Sequence, residues 1–226
     1  MPRVGRVAPG GWVYHVLNRA VARLPLFRKD ADYEAFGRVM LEAYERCPTR
    51  VLAWCLMRNH WHFVIYPRKD GELTAFMRWL THTHVMRWHA AHNTVGCGSL
   101  YQGRFKNFPI QRDEHVLTVC RYVERNAMSA GVVERAEYWR WSSLWTRLNR
   151  SAPLRPLLCD WPVERPRQWV TAVNSPFTAK EQERLRASIA RSRPFGNDTW
   201  QKQSTQRLGL KHTLRPEGRP RKKKQP

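Results

Sequence analysis

Residues 50–67 read RVLAWCLMRNHWHFVIYP, two apolar runs rich in β-branched and aromatic residues with only Arg58 and Asn59 between them. Two such runs across a two-residue polar break predict a β-hairpin. That rules out an all-helical chain, and the flanking segments restrict the topology further. Upstream, GWVYHVLNR (11–19) reads as a strand, and RKDADYEAFGRVMLEAYERCP as a helix with Asp30 or Asp32 as its cap. Tyr33, Phe36, Val39, Met40, Ala43 and Tyr44 recur there at helical spacing, and Pro48 ends the run. Downstream, GELTAFMRWLTHTHVMRWHAAHN predicts a long helix with Leu73, Phe76, Met77 and Leu80 buried. GRFKNFPI predicts a fourth strand, which Pro109 puts at an edge or an end. DEHVLTVCRYVERNAMSAG closes the series as a helix stopped by Gly131. The order fits an α+β fold: a ferredoxin-like αβ sandwich with a four-stranded antiparallel sheet, helices on one face, and one extra helix.

The hairpin also carries chemistry. Side chains at i and i+2 of a strand share a face, so His60 and His62 project together while Trp61, Phe63 and Ile65 point into the helix-covered core. Two imidazoles on one face suit a metal ion. The chain holds its own control in THTHV, where His82 and His84 have the same spacing but lie in a helical pattern and diverge by about 200°. These two, with His89 and His92, read as surface or packing histidines. A third ligand is offered by CRYVERN, where Tyr122 and Asn126 lie four apart on one helix face, beside the apolar stripe of Val116, Cys120 and Val123. An amide oxygen suits Mg²⁺ or Mn²⁺, and a phenol beside such an ion is a candidate nucleophile toward phosphorus. Spacing alone leaves open that Tyr122 only packs and Asn126 only caps its helix.

Forty Lys and Arg against eighteen Asp and Glu give a net charge of +22, a balance that calls for a polyanion such as nucleic acid. Arg104 and Lys106 share one face of the fourth strand, and Asn18 with Arg19 ends the first; all four are candidate DNA contacts or a solvated basic surface. From 178 to 226 fourteen Lys and Arg face four Asp and Glu. TAKEQERLRASIARSR, with Thr178 and Glu181 as a capping box, and DTWQKQSTQRLGL read as helices. A flexible tail follows, with Arg221, Lys222, Lys223 and Lys224 placed to clamp phosphates. Residues 151–177 read as a Pro-rich connector between this basic extension and a first domain at 1–150. Cys47, Cys55, Cys97, Cys120 and Cys159 form no CxxC pair, and MPRVGRVAPGG lacks an apolar signal region. Ordinary buried thiols and a cytoplasmic, nucleoid-associated location are expected, with no membrane span.

GGWVYHVLNR, MRNHWHFVIYP, LYQGRFKNFPIQRDEH and CRYVERNAMSAGVV…WRWSS, in this order, resemble the HUH (His-hydrophobe-His) single-strand transposases with one catalytic tyrosine. The likeness is greatest to the REP-associated tyrosine transposases and spans roughly residues 8–147. It implies that residues 1–150 are a nuclease domain in which His60, His62 and Asn126 hold one Mg²⁺ or Mn²⁺ on the scissile phosphate. Tyr122 would attack, leaving a 5′-phosphotyrosine and a free 3′-hydroxyl. The implied partner is a single-stranded DNA hairpin, often a repetitive extragenic palindrome, bound by a monomer or a homodimer. Asn126 stands where mobile-element relatives carry Gln, as in the REP-associated branch; Arg58 and Ala127 replace prolines common in relatives. Two other readings remain: a catalytically silent hairpin-binding regulator, and a relaxase or replication initiator. The latter usually adds a third histidine or a second tyrosine, and CRYVERN has neither.

Overall fold

A computed structural model describes residues 8–215. The expected clamp of Arg221, Lys222, Lys223 and Lys224 lies outside the described residues. Four strands form one antiparallel sheet: β1 (Val13–Arg19), β2 (Arg50–Met57), β3 (His60–Tyr66) and β4 (Lys106–Ile110), in the order β2-β3-β1-β4. Arg58 and Asn59 make the two-residue turn of the β2–β3 hairpin. With helices α1 (Asp30–Arg46) after β1 and α2 (Glu72–Ala91) after β3, this is the expected ferredoxin-like sandwich.

The alternation of each strand divides the interior in two. Tyr14, Val16, Trp54, Leu56, Trp61, Phe63 and Ile65 face α1 and α2, meeting Phe36, Met40, Leu73, Phe76, Met77 and Leu80. On the opposite face Val13, Cys55, Val64, Phe108 and Ile110 meet α3 (Glu114–Glu124), through Val116, Val119, Cys120 and Val123. α1 starts differently from the expectation: Lys29 is its N-cap, and Asp32 sits inside, accepting from the Arg28 and Lys29 N–H groups. α3 also ends earlier than expected. The chain breaks at Arg125 and resumes as the short α4 (Asn126–Ser129). Gly131, at φ +69°, then closes the turn, its N–H donating to Met128 O while Val132 donates to Ala127 O.

β4 is an edge strand, as Pro109 suggested. The Pro109 carbonyl points away from β1 and accepts from Phe195 N–H at 2.8 Å, so the missing proline N–H lies on the outer edge and removes no bond to β1. Later segments cover both edges. Phe195 pairs with Ile110, and Leu158 pairs with Val51 on β2. Residues 151–177 pack against the cores: Leu157, Trp169 and Val173 are buried, the last two in α6 (Trp169–Asn174), which the proline content of this stretch masks. α5 (Ser143–Leu148) precedes them. The extension contains α7 (Ala179–Arg191), with the expected Thr178–Glu181 capping box, and α8 (Asp198–Arg207). All five cysteines are free; Cys97 is exposed, against the expectation of buried thiols, while Cys55 and Cys120 are buried. Among the described residues no helix is long and apolar enough to cross a membrane.

One buried carboxylate ties the late segments to the core. Glu124, at 0% exposure, accepts from Ser143 Oγ at 2.5 Å and from Trp169 Nε1 at 2.6 Å, joining α3 to α5 and α6. Burial raises its pKa despite these two donors. Glu124→Ala leaves both donors buried and unpaired and is expected to cost about 3 kcal/mol in chemical denaturation. Glu124→Gln, which keeps one acceptor, should cost less than half of that. Equal losses in the two variants would show that the contacts made by the carboxylate oxygens are not what matters.

Candidate active site

In the β1–β3 ladder Leu17 lies opposite His62 and Arg19 opposite His60, so Arg19 and both histidines emerge on the α3 side of the sheet. The imidazole centroids are 5.0 Å apart with planes nearly perpendicular. His62 is 2% exposed and His60 half-buried. Each ring uses its Nδ1 within the protein. His60 Nδ1 lies 2.7 Å from Asn59 Oδ1, and His62 Nδ1 lies 2.9 Å from Nε2 of His15 on β1. That leaves Nε2 of each ring as the atom able to meet a ligand.

α3 brings the other two candidates over this surface. The Tyr122 ring sits edge-on to His62 at 5.7 Å. Asn126, one residue past the break in the helix, still lies close enough to the side chains of both His60 and Tyr122 to act on their protonation. Arg125 keeps near-helical backbone angles and donates to Arg121 O, so the four-residue spacing survives the break. His60, His62, Tyr122 and Asn126 thus converge at one place.

The electrostatics are those of a largely buried site without carboxylates. Burial lowers the pKa of His60 to about 4, helped by the Arg19 charge and opposed by Asn126. Burial, reinforced by His15, His60 and Arg19, holds His62 well below the ordinary range. Both rings are neutral at pH 7, the state a metal requires. The Tyr122 hydroxyl is raised by burial, with Asn126 and Arg19 pulling the other way. Two neutral imidazoles and an amide oxygen fit an oxygen-preferring divalent ion, whose charge would be balanced by a phosphate.

Three neighbours of the site carry no signal in the sequence. His15 is one histidine in an apolar strand, and only the pairing of β1 with β3 brings it to His62. Phe177 and Arg186 come from the C-terminal extension. With Tyr122, Arg125, Ser129 and Gln182 they line a cavity of about 310 Å³. The helical periodicity of 179–191 identifies α7 but not which wall it completes.

The basic candidates gather next to this site. Arg19, Arg104 and Lys106 line a cavity of about 280 Å³, with Ile189 and Ala190 of α7 on its other side. Arg104 precedes β4 instead of lying in it. Asn18 is buried and donates to Gly103 O, so it shapes the groove wall from within. The remaining histidines behave as the spacing argument expects. His84 is buried against the Tyr101 hydroxyl at 2.7 Å while His82 is exposed, and His89 and His92 are held by Thr94 and by the Trp88 carbonyl. Asp113, Glu114 and His115 form the one cluster of three acidic or histidine ligands among the described residues. Asp113 is accounted for there as the N-cap of α3, accepting from His115 N–H.

The sequence model of the IS200-like transposases matches residues 11–126, a span that runs from β1 through both histidines to Asn126. No curated protein matches the chain. Among solved structures, a REP-associated tyrosine transposase bound to a REP hairpin superposes with a TM-score of 0.50 at 18% identity, over 67% of this chain and 88% of that one. At that identity the likeness speaks for the fold, which is the one described above. The family match spans more than half of the sequence and includes every residue that converges at the site: the chain belongs to the IS200-like transposases.

Proposed function

We propose that this transposase cleaves and rejoins single-stranded DNA beside hairpins, with Tyr122 as its nucleophile and His60, His62 and Asn126 as its metal ligands. The observation that carries the reading is the convergence of these four side chains on one sheet face, with both imidazoles kept neutral by burial. A Mg²⁺ or Mn²⁺ ion bound there would supply Lewis-acid polarisation of the scissile phosphate. Tyr122 Oη attacks phosphorus in line; the P–O3′ bond breaks, and the 5′ end stays on the tyrosine as a phosphodiester. The phenol gives up its proton and the departing 3′ oxygen takes one up, so the number of phosphodiester bonds is unchanged. Rejoining is the same exchange with a different 3′ end and needs no energy source. Arg19, facing the same site, adds a fixed positive charge for the phosphate. Arg104 and Lys106 extend that charge along a groove for the strand leading away, and the hairpin preference follows the REP-associated branch.

Denaturing electrophoresis of a labelled single-stranded hairpin oligonucleotide, drawn from palindromic repeats of the host genome, tests the chemistry. With Mg²⁺ or Mn²⁺ the wild type is expected to carry the labelled 5′ end as a covalent adduct. Tyr122→Phe should lose at least about 10³-fold in adduct formation while retaining hairpin binding, and His62→Ala should remove the response to metal. Tight hairpin binding with no adduct under any condition would favour the silent regulator instead. The depressed histidines set the pH dependence. A proton competes with the ion at each ligand, so two ordinary imidazoles of pKa near 6.5 would lose about 100-fold in Mn²⁺ affinity between pH 7.5 and 5.5. With His60 lowered to about 4 and His62 lowered well below the ordinary range, the affinity should stay nearly flat over that interval and fall only as the pH approaches that of His60. A loss starting at pH 6.5 would contradict the neutral, buried ligand set. For the groove, Arg104→Ala and Lys106→Ala should each reduce the salt slope of hairpin binding by about one, measured by titration across potassium chloride concentrations. An unchanged slope would reassign that side chain to the solvated surface.

A further inference from the structure

We infer that His15 is a positioning residue for metal binding: it holds the Nδ1 proton of His62 and so keeps the Nε2 lone pair of His62 directed at the ion. The inference rests on the reading of His60, His62 and Asn126 as ligands, and it concerns a residue outside that set.

The geometry is specific. His15 Nε2 lies 2.9 Å from His62 Nδ1, and His15 is 1% exposed. Its ring is stacked on Phe108 of β4 at 4.7 Å and 25°, with the Tyr122 ring edge-on at 6.3 Å. The backbone fixes it from both sides, since His15 is opposite Val64 on β3 and opposite Phe108 on β4. Two neutral imidazoles sharing one hydrogen bond have two arrangements. In one, His62 carries its proton on Nδ1 and donates to His15 Nε2, leaving its own Nε2 bare. In the other, His15 donates and His62 holds its proton on Nε2, where it blocks coordination. Only the first can bind metal, and a ligating histidine is ordinarily fixed this way by an acceptor behind it. Here the acceptor is a second imidazole, in a wall of Phe108 and Val64 that excludes water as a substitute.

Two substitutions separate this role from packing. His15→Gln keeps an acceptor oxygen near the place of Nε2, whereas His15→Leu keeps bulk and removes the acceptor. Mn²⁺ titration of the full chain, read by the loss of the free-ion EPR signal, should give about 10- to 100-fold weaker binding for His15→Leu and within about threefold of wild type for His15→Gln. Long-range ¹H–¹⁵N correlation of the imidazoles should find His62 in its Nδ1–H form in the metal-free wild type and in His15→Gln. A folded His15→Leu that binds Mn²⁺ like wild type overturns the inference, and so does a wild-type His62 found with its proton on Nε2. Should His15→Leu fail to fold, His15→Gln and the wild-type tautomer still decide. A wild type that binds no Mn²⁺ at all fails the metal reading itself and the inference with it; binding that is intact in wild type and indifferent to His15→Leu fails the inference alone.

Discussion

The antiparallel register of β1 against β3 is the constraint on which the site depends. Leu17 opposite His62 and Arg19 opposite His60 set the charge of one strand beside the imidazoles of the next, and the same pairing delivers His15 to His62. A slip of one residue would turn His60 and His62 into the core occupied by Trp61, Phe63 and Ile65 and turn those three to the α3 side instead. The apolar face therefore protects the polar one. The energy that buries two large aromatic rings and an isoleucine is what fixes two histidines on the opposite side.

The site is electrically unusual for so basic a chain. Its inner members, His15, His60, His62, Tyr122 and Asn126, are uncharged at neutral pH; burial lowers the three histidines and raises the tyrosine, and so reinforces the neutral form of each. Positive charge stands at its margin, in Arg19, Arg104 and Lys106. That division suits a polyanionic strand that is attracted by the periphery and reacts in a poorly solvated centre, where a fixed charge such as Arg19 acts with little screening.

The C-terminal half is built into the same structure. Leu158 and Phe195 pair with the two outer strands, which would otherwise expose unpaired backbone groups. Glu124, two residues from Tyr122, anchors Ser143 and Trp169 and thereby fixes α3 from behind. α7 then supplies Arg186 and Phe177 precedes it, both walls of the cavity beside the tyrosine. The region that reads in sequence as a connector and a basic extension is thus continuous with the second core.

Local pattern was enough to give the four strands, the long helices and the sheet face that holds His60 and His62. Alternation in HWHFVIY places His60 with His62 because a strand has a period of two. Helical spacing places Tyr122 with Asn126, even across the break at Arg125, because that residue keeps near-helical angles. Pro109 pointed to an edge or an end because a missing N–H is tolerated there and not in a central strand. What tertiary structure alone decided were the neighbours separated by long stretches of chain. His15 and His62 are 47 residues apart and share a hydrogen bond because β1 inserts between β3 and β4. Trp169 reaches Glu124, and Phe177 and Arg186 reach the cavity of Tyr122, by packing that no local period encodes. Local periodicity fixes which way a side chain points; only the arrangement of the elements fixes what it meets.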